Sequence, residues 1–123
     1  MKIIYDSKTG HSKEIALKLA TDAIDVVDVK ELKEKAILIT HTEGKGITPE
    51  NSIKLLEQHK DQIVALVITG NYIKHPFEFG KAGYELAAKF DKPIIRIIQQ
   101  LGTEEDINFV KEYINNLANF DIK

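Results

Sequence analysis

With 123 residues, 43% of them hydrophobic and 29% charged, the chain has the length and composition of one globular domain with one core. A formal charge of −2 gives no reason to expect a polyanion such as nucleic acid as partner. With no cysteine there are no disulfides, thiolate nucleophiles or thiolate metal sites, so any redox role needs a bound cofactor.

Ile3 to Tyr5 are apolar and end in a polar turn, the pattern of a short buried strand. From Ser12 to Ala20, the positions Ile15, Ala16, Leu19 and Ala20 recur at three and four residues, which predicts a helix with one inward face. The β-branched run Ile24, Val26, Val27 and Val29, broken by Asp25 and Asp28, predicts a strand with one wet side at a sheet edge. Lys30 to Lys35 is a charged connection. Ala36 to Ile39, ending in Thr40, is a continuous apolar run of the kind covered on both faces, and the glycine-containing loop 41–46 follows it. Thr48 and Pro49 predict a helix start, with Thr48 as N-cap and proline at the first helical position, running to about His59.

Ile63 to Ile68 is the most hydrophobic stretch and closes in Thr69-Gly70-Asn71, a central parallel strand with a loop after it. A helix from about Phe77 to Phe90 turns Phe79, Ala82, Gly83, Leu86, Ala87 and Phe90 inward. Pro93 opens a strand from Ile94 to Ile98. Thr103 then caps a last helix, whose Glu104, Glu105 and Asp106 complement its dipole. No repeat, linker or low-complexity tract divides the chain, so a single domain over residues 1–123 is expected. No apolar run approaches the roughly 18 residues of a membrane span and no signal peptide is evident, which makes the cytoplasm the expected location.

Strands and helices alternate, with one helix missing or very short between the second and third strands. This is an α/β pattern, and it predicts a flavodoxin-like doubly wound sheet of five parallel strands in the order 2-1-3-4-5. In that order the loops after strands one, three and four meet at the switch point. The first, Tyr5 to Ser12, carries Ser-x-Thr-Gly-x-Ser where a strand becomes a helix. The hydroxyls of Ser7, Thr9 and Ser12 and the N–H groups of Lys8, Thr9, Gly10 and His11 can cradle one phosphate at the positive end of the helix dipole. The same residues also fit a plain capped turn. Neither a Walker loop nor the Gly-x-Gly-x-x-Gly fingerprint is present.

In the second loop Gly44 and Gly46 allow backbone to lie against a flat ligand, or form an ordinary turn. In the third, Gly70 and Asn71 can bring backbone close to a ligand, with Tyr72 or Phe77 as an aromatic face or simply as rim and core. His11, His41, His59 and His75 show no metal-ligand spacing, although His41 and His75 fall in the loops of the crevice. Asp6 orients the backbone of the first loop.

Taken in order, Asp6-Ser7-Lys8-Thr9-Gly10, the segment Thr40 to Gly46 with Pro49 beyond it, Gly70-Asn71, Phe79, Lys81-Ala82-Gly83 and Leu101-Gly102-Thr103-Glu104-Glu105-Asp106 resemble the NrdI family over nearly the whole chain. These are small flavodoxin-like proteins that serve class Ib ribonucleotide reductase. The resemblance implies FMN as cofactor. Ser7, Lys8, Thr9, Gly10, His11 and Ser12 would hold its phosphate, and Thr42, Glu43 and Gly44 on one wall and Gly70, Asn71 and Tyr72 on the other would line its ring. It further implies that the reduced flavin reacts with dioxygen and passes an oxidant to the dimanganese-tyrosyl radical site of the radical-generating small subunit. The protein would then be a redox activation partner rather than a turnover enzyme, served by a flavin reductant, with no nucleic-acid or membrane partner.

The chain departs from the family pattern at three places. His11 stands where asparagine is common. Glu43 and Lys45 stand where the second loop commonly has aromatics, and the third loop lacks the common tryptophan, so less ring stacking is on offer. Lys45 would favour an anionic reduced flavin and Glu43 would oppose it. A general flavodoxin-like electron carrier and a flavin-free binding protein are the alternative readings. A phosphorylated receiver domain is set aside, because Thr40-His41 stands where its aspartate is needed.

Overall fold

The computed structural model describes residues 1–42, 47–74, 76 and 79–122, with side chains described as far as residue 117. The elements run β1 (Lys2–Tyr5), α1 (His11–Leu19), β2 (Ile24–Asp25), β3 (Ala36–His41), α2 (Glu50–His59), β4 (Ile63–Gly70), α3 (Lys81–Phe90), β5 (Ile94–Gln99) and α4 (Glu104–Ile122). They form one five-stranded sheet in the order β2-β1-β3-β4-β5, parallel at every pairing. This is the expected flavodoxin-like arrangement.

Alternation along the strands sends side chains to two separate cores. Ile3, Tyr5, Ile37, Ile39, Ala65 and Val67 pack under α1 and α4, against Ile15, Ala16, Ile107 and Val110. Ile4, Leu38, Leu66 and Ile68 pack under α2 and α3, against Leu55, Leu56, Leu86 and Phe90. α3 lies so close to β4 that a Cβ on Gly83 would stand 2.7 Å from Ile68 Cδ1, and glycine is what lets the two elements meet there.

Three local expectations are corrected. The predicted strand at 24–29 pairs only over Ile24 and Asp25, and Val26–Asp28 turns into a 3₁₀ helix instead. The Asp25 carboxylate accepts from the Val27 N–H, a local cap that overrides the β preference of valine. Helix α2 starts one residue later than expected, with Pro49 in the cap position, and the Thr48 hydroxyl donates to Glu85 on α3 at 2.6 Å. Helix α3 begins at Lys81 rather than near 77, after Gly80, whose φ of 77° places it in the left-handed region; Phe77 lies outside the described residues.

At α4 the expected cap is present as a reciprocal box. The Thr103 hydroxyl accepts from the Asp106 N–H at 3.2 Å, and the Asp106 carboxylate accepts from the Thr103 N–H at 2.9 Å. Asp106 also accepts from Arg96 at 2.7 Å. Burial pushes this carboxyl up, but the hydrogen bonds from Thr103 and Arg96 and the guanidinium charge together outweigh it and hold the group below its ordinary value.

Candidate functional site

Strand β1 pairs with β2 on one side and with β3 on the other, so the strand order reverses there and the switch-point crevice opens beyond the carboxyl ends of β1 and β3. Tyr5 is level with Ile39, and β3 and β4 run on past it to His41 and Gly70. The loops after β1, β3 and β4 therefore share one end of the sheet.

The first loop is a tight turn. The Gly10 N–H donates to Ser7 Oγ at 3.0 Å, and Gly10 has a φ of 97°. That conformation suits glycine, and among the described residues nothing lies within 4 Å of where a Cβ would be. α1 starts directly after it with no side-chain cap, so its first N–H groups point into the loop. Lys8 and Thr9 are exposed, Ser7, Gly10 and His11 half-buried, and Ser12 buried. This turn of backbone donors, with nothing within 4 Å of where a Gly10 Cβ would stand and Lys8 two positions before it in the chain, suits an anion such as phosphate in charge.

Beneath the loops lies a buried polar network. The Ser52 hydroxyl donates to the Asp6 carboxylate at 2.7 Å, Thr40 and Ser52 hydroxyls meet at 2.7 Å, Thr69 donates to the Thr40 carbonyl at 3.3 Å, and Ser12 and Thr69 hydroxyls meet at 3.0 Å. The Asp6 carboxylate therefore holds Ser52 on α2 rather than the backbone of the first loop. Of this network the sequence alone points to Ser12, as a phosphate ligand; nothing in the positions of Thr40 and Thr69 at the ends of apolar runs predicts their hydrogen bonds. Ser52 carried a usable signal, a hydroxyl three and four positions before Leu55 and Leu56 on the inward face of α2.

His41 Nδ1 lies 2.8 Å from the Asp6 carbonyl oxygen. A carbonyl only accepts, so Nδ1 carries the proton and ties the end of β3 to the end of β1. The Thr42 hydroxyl accepts from the Ala82 N–H at 3.2 Å and so caps α3 from a distance. Glu43, Gly44, Lys45 and Gly46 lie outside the described residues, as does His75. In the third loop, Asn71 Oδ1 accepts from the Lys74 N–H at 3.0 Å and from Gln99 at 3.3 Å, while the Tyr72 N–H donates to Gln99 Oε1 at 2.6 Å. These bonds shape the turn after Gly70. Tyr72 is 57% exposed and meets Phe79 edge to face, with ring centroids 5.6 Å apart.

The strand order and the three loops at its reversal define a flavodoxin-like protein. A short-chain flavodoxin associated with a bacterial microcompartment superposes with a TM-score of 0.76 at 13% identity, covering 97% of this chain and 96% of that one. A Fusobacterium nucleatum flavodoxin, bound in its structure to flavin mononucleotide, superposes with a TM-score of 0.57 at 18% identity, covering 96% of each. Within that class, the family model described as NrdI flavodoxin-like matches residues 3–112, and the chain belongs to that family. The SPbeta prophage-derived protein NrdI of Bacillus subtilis is 28% identical, over 97% of this chain and 95% of its own length. Protein NrdI of Mycoplasmoides gallisepticum is 30% identical, over 98% and 88%. Among the described residues no helix is long and apolar enough to cross a membrane.

Proposed function

We propose that this chain, as a single domain over residues 1–123, binds FMN at the switch point and activates the radical-generating small subunit of a class Ib ribonucleotide reductase in the cytoplasm. The single observation that carries the cofactor is the β1–α1 turn, where Gly10 sits in the left-handed region in front of a helix without a side-chain cap. Family membership over residues 3–112 supports the rest.

Ser7, Lys8, Thr9, Gly10, His11 and Ser12 hold the phosphate, with most of the contacts made by backbone N–H groups and the Ser7 hydroxyl, which accepts from the Gly10 N–H, donating a hydrogen bond to the anion. Thr42, Glu43 and Gly44 form one wall for the ring, and Gly70, Asn71 and Tyr72 form the other. The crossing bonds of Thr42 to α3 and of Asn71 to Gln99 hold these two residues before any ligand arrives, which lowers the cost of ordering them. FMN held there would supply redox chemistry between a flavin reductant and dioxygen, and the oxidant so formed would serve the dimanganese-tyrosyl radical site of the partner.

The test mixes FMN-loaded, anaerobically reduced protein and the manganese-loaded small subunit with dioxygen, and reads tyrosyl radical by electron paramagnetic resonance. The radical is expected only when the protein is present and reduced. Slow reaction with dioxygen and no radical would instead identify an electron carrier.

A further inference from the structure

The hydroxyl protons of the buried network can be placed one by one. The Ser52 hydroxyl donates to Asp6, so it accepts from Thr40; the Thr69 hydroxyl donates to the Thr40 carbonyl, so it accepts from Ser12. Both chains meet at Thr40, whose hydroxyl donates in one while its carbonyl accepts in the other. Ser12, Thr40, Ser52 and Thr69 are each no more than 2% exposed, and no buried side-chain polar atom among the described residues lacks a partner. The Ser12 hydroxyl is thus committed below the loop. Only its backbone N–H remains for an anion at the start of α1.

We propose that Ser12 and Thr69 are a positioning pair: the Ser12 hydroxyl serves β4 rather than the phosphate, and locks the first turn of α1 to the strand that ends in Gly70 and Asn71. The proposal rests on the flavin reading above and deepens it. One ligand element, the phosphate cradle, and the other, the ring wall, are then set at a fixed separation by a single 3.0 Å hydrogen bond across 57 residues of chain. Fixing that separation in advance favours a ligand whose phosphate and ring are joined at the matching length.

The experiment titrates FMN and riboflavin into wild type, Ser12→Ala, Thr69→Val, Thr69→Ser and the Ser12→Ala/Thr69→Val double variant, with urea unfolding of each flavin-free protein alongside. Each disrupting single variant is expected to weaken FMN by roughly 3- to 10-fold, the value of one net hydrogen bond. The double variant is expected to bind no more weakly than Thr69→Val alone, Thr69→Ser to restore affinity, and urea midpoints to show the same coupling. A Thr69→Val protein that binds FMN as wild type does overturns the pairing, and so do losses that add in the double variant, which would make the Ser12 hydroxyl a direct ligand. A wild type that takes up no FMN overturns the flavin reading and the pair's role in it together, whatever coupling urea reveals.

Discussion

Replacing Gly83 by alanine sets two effects of known size against each other. Alanine is favoured over glycine in a helix by about 1 kcal/mol. Against that, the new Cβ would stand 2.7 Å from Ile68 Cδ1, 3.2 Å from its Cβ and closer still to Cγ1, where relaxed carbon contacts are about 3.5–4.0 Å. Ile68 is fully buried on a strand flanked by β3 and β5, so neither its side chain nor its backbone has room to yield. Overpacking costs about 1–3 kcal/mol, and contacts this short fall in the upper part of that range, about 2–3 kcal/mol, which exceeds the propensity gain. We expect Gly83→Ala to lose about 1–2 kcal/mol, read as a fall of roughly 0.5–1 M in the urea midpoint for a slope of about 2 kcal/mol/M. In an Ile68→Ala background, which removes Cγ1 and Cδ1 and leaves only the 3.2 Å contact to Cβ, the same change becomes neutral or stabilising. A Gly83→Ala protein as stable as wild type would refute the close approach of α3 to β4.

Asp106→Asn is expected to destabilise by about 1 kcal/mol through the weakened cap and the lost Arg96 pair. Because the folded carboxyl lies below its ordinary value of 3.8, its contribution is complete above that value and disappears as pH falls through the lower folded one. The gap between wild type and variant in urea midpoint should therefore narrow as pH falls below 3.8; a constant gap contradicts the assignment. Asp6→Ala leaves the Ser52 hydroxyl without its buried acceptor and should cost about 1–3 kcal/mol. Asp6→Asn, which keeps an acceptor oxygen, should recover much of that in the same urea assay.

Strand order was legible because the apolar runs 36–39 and 63–68 are continuous, as sheets covered on both faces require, and because helical spacing separates them. The errors came from competition that hydropathy does not register. Asp25 captures the Val27 N–H and ends a strand that valine content would extend. Thr48 is the right residue type for a cap, but its hydroxyl goes to Glu85, a partner 37 positions away. At the site, the backbone turn of Ser7 and Gly10 could be read from their types and spacing. The direction of the Ser12 hydroxyl could not, since it depends on Thr69 across the sheet. Thr42 is the same case, a wall candidate by position whose oxygen is also the distant cap of α3.

The central claim is that the β1–α1 turn and the loops beside it bind a flavin by its phosphate. Its most direct measurement is the visible absorbance and fluorescence of FMN titrated with flavin-free protein, with riboflavin as the phosphate-free comparator. The account predicts shifted absorbance bands and altered fluorescence that saturate at about one FMN per chain, with riboflavin binding markedly more weakly because the helix N-terminus has no anion to hold. An FMN spectrum unchanged at saturating protein, or riboflavin bound as tightly as FMN, would contradict it.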